Sequence, residues 1–297
     1  MKYSSPILFL SYRWKVGENV DLDSIECERD SEGFMVLKPK YSTLYTKTKY
    51  LTKKQIIIDR IYEYDIRSAN TSALKMSGKI DRKILDGLEK VDKKQRERAV
   101  GKMIQKNRNI WKIISKEILR AREYLFRMNM LQDDDILAIK NDAVFVIGRK
   151  LKYTKYGEME FRCKNQYILY HMIEGVEMYY SKRDDKLDMK GVSDDVVEHP
   201  DQQEGMIRFL KTVFKYLSMD QKDELRSYLI EFTHNYKGMK LPYQYYRELN
   251  GSNLYRTNME LSGFSYDLTM ASDDDLDIIN PVYNFTRYIL PLLRLYL

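Results

Sequence analysis

Short apolar runs, separated by polar and turn-forming residues, characterise the first 60 residues of the chain. The runs Gly33–Leu37, Gln55–Ile58 and Ile61–Asp65 have the length and composition of β-strands. Small and polar residues follow the third run, and they predict a turn and then a short helix around Ser72–Met76. Residues 1–60 are therefore predicted to form a β-rich N-terminal segment.

The longest helical pattern covers residues 92–131. Its apolar residues recur close to every 3.6 positions, at Val100, Met103, Ile104, Ile110, Trp111, Ile114, Ile118, Leu125 and Phe126. The other face is basic, with Lys93, Lys94, Arg96, Arg98, Lys102, Lys106, Arg108, Lys112 and Lys116. The first half of this pattern carries almost only positive charge, so ion pairs between residues four apart do not explain it. The pattern favours a surface that faces phosphate groups, with a solvated helix face as the alternative.

Two apolar runs, Ile136–Ile139 and Val144–Ile147, flank a polar triplet that ends in Asp142. Two such runs around a tight polar connection predict a β-hairpin, with Asp142 at or near its turn.

Two further helices are predicted at residues 203–218 and 220–237. The apolar end of the chain, Tyr288–Leu297, predicts a buried terminal segment, with a docking site for a partner as the alternative.

The composition is that of a globular protein with a basic balance. The 297 residues are 43% hydrophobic and 32% charged, with a net charge of +7 and an isoelectric point near 9.0. This leaves room for one large domain or two modest ones, and it favours anionic partners such as nucleic acid. The Tyr- and Lys-rich stretch Lys38–Lys54 fits either an exposed β-ribbon or a base-stacking surface.

Neither cysteine nor histidine usage indicates a disulfide framework or a zinc site. Cys27 and Cys163 are far apart, and His171, His199 and His234 lack metal-ligand spacing. Because no apolar run approaches the length of a membrane span or of a signal-peptide core, we expect a soluble protein of a reducing cytoplasm.

Two acids stand out by their positions. Asp65 ends a predicted strand, and Asp142 lies in the predicted hairpin. Asp65 on its own fits a turn or a helix N-cap, and Asp142 fits a hairpin turn. Placed on adjacent strands, the two carboxylates would also suit Mg²⁺, which takes hard oxygen ligands.

The order of these elements resembles the palm of template-directed nucleic-acid polymerases, most closely family B DNA polymerases. The first palm motif of that family reads D-x-x-S-L-Y-P-S-I, and the segment that starts at Asp65 keeps the Asp and both Ser, Ser68 and Ser72. The third motif reads D-T-D-S-x-F/Y-x, and Lys140–Val146 keeps its second Asp and the apolar strand. Tyr179–Val192 is similar to a K-K-R-Y and D-x-K-G element of the family. The resemblance covers about residues 55–240.

The resemblance implies an α+β fold with an antiparallel sheet packed on helices. A palm would span residues 61–180, with a short helical fingers-like insertion at about 78–131, and residues 181–297 would form a mostly helical thumb-like and C-terminal region. No proofreading domain fits before residue 60, which is typical of a compact polymerase from a phage or mobile element. Such a protein would act in the bacterial host cytoplasm, and its short fingers imply an accessory replication subunit.

The implied activity is DNA polymerisation by a two-metal-ion mechanism on a primer–template with nucleoside triphosphates. Asp65, Asp142 and the carbonyl of Ile66 would hold two Mg²⁺ ions, or Mn²⁺. The nucleotide would contact Ile66, Ser68, Ala69, Asn70, Arg98, Lys102 and Lys106. The nucleic-acid backbone would contact Lys182, Arg183, Lys186 and Lys190.

The sequence departs from the family at positions that matter for activity. Lys140 occupies the position of the first acid of the third motif, and Asn70 that of the Tyr that selects the sugar. The preference for deoxynucleotides, the template type and the need for a primer therefore stay open. One alternative is a catalytically inactive, palm-derived nucleic-acid-binding protein. Another is an unrelated basic interaction protein, which would place Asp65 and Asp142 far apart.

Overall fold

A computed structural model describes residues 27–29, 35–37, 40–41, 43–46, 48–52, 56–173, 175–191, 204–249 and 281–297. They form two compact units. The first contains the described residues up to Tyr50 together with Tyr62–Asn165, and the second contains Leu51–Ile61 and the described residues from Gln166 onward. Two of these boundaries fall inside long strands and the third inside a short helix, and the predicted division after residues 60 and 180 stays a prediction.

The described strands are β1 (Cys27–Arg29), β2 (Met35–Leu37), β3 (Tyr45–Thr46), β4 (Ile56–Ile66), β5 (Ile136–Lys140), β6 (Ala143–Ile147), β7 (Lys155–Tyr156), β8 (Met159–Ile173), β9 (Val176–Ser181) and β10 (Lys186–Lys190). The described helices are α1 (Lys49–Thr52), α2 (Ala69–Ser77), α3 (Arg82–Glu89), α4 (Lys93–Lys106), α5 (Asn109–Met128), α6 (Glu204–Ser218), α7 (Lys222–Lys237), α8 (Pro281–Asn284) and α9 (Leu290–Tyr296), with a π-helical turn at Phe285–Ile289 between the last two.

In the first unit, neighbouring strands follow the order β8-β4-β6-β5-β3, and β7 pairs with β8. The β5–β6 hairpin is antiparallel, as predicted, and pairs Lys140 with Ala143 across its turn. Helices α2 to α5 share one hydrophobic core with these strands. Its buried residues include Ile66, Leu74, Val100, Ile110, Ile114, Ile118, Leu125, Ile139 and Val144.

The single helical pattern predicted over residues 92–131 is two helices. Asn107 leaves the helical conformation, with φ of −144°, and ends α4. Its side-chain oxygen accepts a hydrogen bond from the Asn109 N–H at 3.0 Å, at the start of α5. Asn competes with the helix ladder in this way because its short side chain bonds nearby backbone groups. The apolar period continues across the break, so periodicity alone does not reveal it.

In the second unit, β8, β9 and β10 form an antiparallel meander in which Tyr180 pairs with both Leu169 and Leu187. Helices α6 and α7 share a second core with these strands, and both agree with the predicted helices. Tyr288, Ile289 and Leu292 are buried in this core, as a buried terminal segment requires.

The described residues therefore form an α+β fold with antiparallel strands packed on helices and helices at the C-terminal end. Of the predicted N-terminal β-rich segment, β1, β2 and β3 are described. Most of residues 1–39, including the start of the predicted strand at Gly33, lie outside the described residues, as do parts of Lys38–Lys54. Within the described ranges, every helix is too short or too polar to cross a bilayer.

Candidate functional site

Asp65 lies at the end of β4, one residue before the strand stops. The chain leaves β4 through Arg67 and through Ser68, which adopts the left-handed conformation with φ of +50°, and enters α2 at Ala69. Ser68 is the N-cap residue of α2, and its side chain does not cap the helix. The Asp65 carboxylate therefore has neither of the roles, N-cap or turn, that its sequence position also allowed.

Asp142 lies in the two-residue turn of the β5–β6 hairpin. Asn141 precedes it in the left-handed conformation, with φ of +54°, which Asn tolerates better than most residues. The Asp142 carbonyl accepts a hydrogen bond from the Ile66 N–H at 3.3 Å. This bond ties the hairpin turn to the end of β4 and brings the two acids together.

The carboxyl groups of Asp65 and Asp142 lie close enough to interact electrostatically. Burial, followed by the negative charge of Asp65, raises the pKa of Asp142 from 3.8 to about 6. Lys164 on β8 acts in the opposite direction, with its Nζ 3.8 Å from Oδ2 of Asp65. Two like charges held this close favour either a shared proton or a bound cation. The interpretation as an unrelated interaction protein predicted that the two acids lie far apart, and this prediction is wrong.

A cavity of about 540 Å³ opens in front of the acid pair. Its lining includes Asp65, Ile66, Arg67, Ser68, Ala69, Asn70, Thr71, Lys93, Arg96, Glu97, Val100, Asn141, Asp142, Arg162, Cys163 and Lys164. The volume is in the range of small-molecule sites. Four of the seven predicted nucleotide-contacting residues line this cavity: Ile66, Ser68, Ala69 and Asn70.

The basic residues that α4 contributes to the cavity differ from those predicted. Lys93 and Arg96 line it, whereas Arg98, Lys102 and Lys106 are exposed and lie outside its lining. Val100 is buried and marks the face of α4 that lines the cavity. Lys93 and Arg96 share this face with Val100. Lys164 and Arg162 were missed because only long-range strand pairing brings β8 beside β4.

The N-terminus of α2 lines this cavity and leaves backbone donors unsatisfied. The backbone N–H groups of Ala69, Asn70 and Thr71 have no acceptor within the described residues, as is usual for a first helical turn without a cap. Thr71 is 5% exposed, and its hydroxyl makes no hydrogen bond in the described part of the chain. Helix N-termini with free N–H groups favour anions.

Two arginines flank the same helix end. Neither the Arg67 nor the Arg96 side chain forms an ion pair among the described residues. Both also line a second cavity of about 510 Å³, which shares Ser68 and Thr71 with the first. The cavity lining therefore combines an acid pair with two arginines and the uncapped start of a helix.

A buried arginine supports the hairpin turn from behind. Arg122 on α5 is 2% exposed and donates to the carbonyls of Tyr41 at 3.0 Å, Thr43 at 2.6 Å and Leu44 at 3.1 Å. The Leu44 carbonyl also accepts the Asn141 N–H at 2.9 Å. Burial lowers the pKa of Arg122 to about 10, which leaves the side chain charged at neutral pH.

A comparison with protein families identifies the group to which this chain belongs. The model of the Bacteriophage PBS1 gene 130 protein family matches residues 40–296. The chain belongs to this family. No curated protein matches the chain. Membership in the PBS1 gene 130 protein family agrees with the predicted phage origin, and the description of the family names no activity, so function is argued from the site.

The oxygen atoms near the acid pair of this PBS1 gene 130 family member bear on the predicted cation site. Within the described residues, no group of three or more His, Cys, Asp and Glu side chains could hold a metal. Besides the two acids, Ile66 and Asn141 line the cavity, and Oδ1 of Asn141 is buried without a hydrogen-bond partner among the described residues. Carboxylates and carbonyl oxygens are the ligands that Mg²⁺ and Mn²⁺ prefer.

The predicted backbone-binding residues of the second unit lie around the β9–β10 turn. Lys182, Arg183 and Lys186 are exposed, and Lys190 is half-buried. Lys186 forms an ion pair with Asp188 at 2.6 Å, and Arg183 has a looser one with Asp184 at 3.9 Å. Their contact with a duplex stays a prediction.

Proposed function

We propose that this phage protein catalyses template-directed nucleotidyl transfer, as a DNA polymerase of the palm type acting in the host cell. One observation carries the proposal: Asp65 and Asp142 interact in a cavity that is also lined by the uncapped start of α2, Arg67 and Arg96. Further support comes from the strand order β8-β4-β6-β5, which puts the two acid-bearing segments side by side.

In the proposed reaction, the 3′ oxygen of a primer attacks the α-phosphorus of a nucleoside triphosphate. The new O–P bond forms as the bond from the α-phosphorus to the oxygen bridging to the β-phosphate breaks, and pyrophosphate leaves. The proton of the 3′ hydroxyl passes to solvent. Two Mg²⁺ ions held by Asp65, Asp142 and the Ile66 carbonyl would supply positive charge at the attacking and leaving oxygens.

The chain's own groups position the triphosphate and stabilise its charge. The free N–H groups of Ala69, Asn70 and Thr71 and the side chains of Lys93 and Arg96 are suited to non-bridging phosphate oxygens. Pyrophosphate gains charge as it leaves, so fixed donors here favour the transition state over the ground state. Both acids must be deprotonated to bind a cation, which the raised pKa of Asp142 opposes at acidic pH.

The second candidate is an inactive, palm-derived nucleic-acid-binding protein, which Lys140 favours by replacing an acid. Lys140 does not line the cavity, and its Nζ lies 5.8 Å from the centre of the Phe145 ring. Its positive charge therefore lies over an aromatic ring, outside the lining of the acid-pair cavity.

Primer extension on a labelled primer–template, with Mg²⁺ or Mn²⁺, tests the proposal. The variants are Asp65→Asn and Asp142→Asn, with Asp86→Asn as a matched control, because Asp86 is exposed on α3 and does not line the cavity. We expect the wild type and the control to extend the primer and both site variants to lose extension by several orders of magnitude. Separate reactions with deoxynucleotides and ribonucleotides test the sugar preference associated with Asn70.

A folded wild-type protein that never extends a primer, with duplex binding unchanged in both site variants, would establish the binding-protein alternative.

A further inference from the structure

The basic charge of this protein is concentrated in α4 and the first turns of α5. Residues 93–116 contain nine of the 51 Lys and Arg residues and one of the 44 Asp and Glu residues. Their net charge of +8 exceeds the +7 of the whole chain, so the remainder is close to neutral. A charge distribution this uneven indicates a surface for a polyanion.

The site accounts for a small part of this charge. Of the nine cations, Lys93 and Arg96 line the cavity. Six others are exposed and form no ion pair among the described residues: Lys94, Arg98, Lys102, Lys106, Arg108 and Lys112. Keeping this many like charges unpaired on one surface costs free energy through repulsion unless an anion is bound.

An exposed indole lies among these cations. Trp111, in the first turn of α5, is 40% exposed and has no ring contact in the described part of the chain. Arg108, Trp111 and Lys112 share one helix face, because residues three and four apart are neighbours on a helix. An exposed indole beside cations suits base stacking combined with phosphate binding.

We infer that the corner between α4 and α5 binds single-stranded nucleic acid, with Trp111 stacked on a base and Lys106, Arg108 and Lys112 on the backbone. A single strand is favoured over a duplex because duplex bases already stack on each other and present no free face to an exposed indole. The inference rests on the proposed function only in identifying this strand as unpaired template. Binding itself requires neither the acid pair nor catalysis.

Fluorescence and anisotropy titrations with oligo(dT) of about 12 nucleotides, within the site sizes of single-strand binding modules, test the inference. Trp14→Phe leaves Trp111 as the sole tryptophan, and its emission is expected to be quenched on binding. Trp111→Ala is expected to weaken binding about tenfold, and Trp111→Phe to retain most of the affinity, since stacking needs only an aromatic face. A duplex of the same length is expected to bind more weakly and without quenching.

Two double variants, one at the proposed surface and one beside it, test the contribution of charge to binding. Lys106→Gln with Arg108→Gln removes two proposed phosphate contacts, and Lys83→Gln with Lys90→Gln removes two exposed cations of the neighbouring α3 region. The first pair is expected to reduce the slope of log affinity against log salt by about 1.4, at about 0.7 per contact, and the second to leave it unchanged. Circular dichroism checks that each variant is folded.

Unchanged Trp111 emission, equal losses from both charge pairs, or a duplex bound as tightly as the single strand would each overturn the inference. Single-strand binding that persists in Asp65→Asn, when that variant extends no primer, keeps the two proposals separable. A wild type that binds the strand but never polymerises would refute the proposed function and leave this surface standing.

Discussion

In the metal-free protein, the free energy of unfolding depends on pH through Asp142, one member of the acid pair. The pKa of Asp142 is raised from 3.8 to about 6, chiefly by burial and then by Asp65. Because the folded pKa lies above the unfolded one, the fold binds this proton more tightly. Stability from Asp142 is therefore fully present below pH 3.8 and is lost as the pH rises through about 6.

The size of this effect follows from the shift. A displacement of about two pH units corresponds to about 3 kcal/mol over the whole range. About half of that, roughly 1.4 kcal/mol, is lost between pH 5 and pH 8. Since Asp142 is only partly buried, solvent screening reduces the expected difference to about 1 kcal/mol.

Urea unfolding with EDTA present, at pH 5 and pH 8, measures the effect in the wild type and in Asp142→Asn. The variant keeps the shape of the side chain but cannot titrate, so the wild type is expected to lose about 1 kcal/mol more than the variant between the two conditions. Asp86→Asn, an exposed acid, serves as the control and is expected to follow the wild type. Parallel pH dependences in the wild type and in Asp142→Asn would refute the assignment of a raised pKa to this carboxyl.

Three further predictions follow from single contacts. Arg122→Met is expected to lower the free energy of unfolding by about 3 kcal/mol or more in urea titrations, since it leaves three buried carbonyls without their donor; Arg122→Lys, able to keep some of these bonds, should lose less. Lys164→Gln is expected to raise the pKa of Asp142, because it removes a nearby cation, and a carboxyl-carbon NMR titration that showed the same or a lower value would contradict this. Gly205→Ala is expected to cost about 1–3 kcal/mol, since its Cβ would lie 2.5 Å from the Tyr245 nitrogen; stability equal to wild type in the same urea assay would show that the contact relaxes freely.

Local patterns predicted the elements that hold the acids. The two apolar runs around Asp142 were sufficient for the hairpin, because a two-residue turn is decided by its own residues and their strands. The strand before Asp65 and the helix after it were predicted for the same reason. The two predicted strands Gln55–Ile58 and Ile61–Asp65 are, however, one continuous strand, β4, and the helix begins earlier than predicted.

Contacts between distant segments could not be predicted from the sequence. Lys164 and Asp65 are 99 positions apart and meet only through the pairing of β8 with β4. Arg122 looked like any polar position of an amphipathic helix, yet it is buried because three carbonyls receive its guanidinium. On α4, the charge pattern indicated phosphate binding, but which cations face the cavity depends on how the helix packs.

The Leu44 carbonyl accepts two hydrogen bonds, and this sets the minimum length of a fragment of this protein. A fragment that begins at β4 would contain both acids and every residue that lines the cavity. It would nevertheless lack the oxygen that receives the Asn141 N–H, and Arg122 would have none of its three acceptors. The family match begins at residue 40, just ahead of these acceptors. The smallest fragment able to hold the Asp142 turn in place is therefore defined by an oxygen atom 21 positions before the first acid, rather than by the acids themselves.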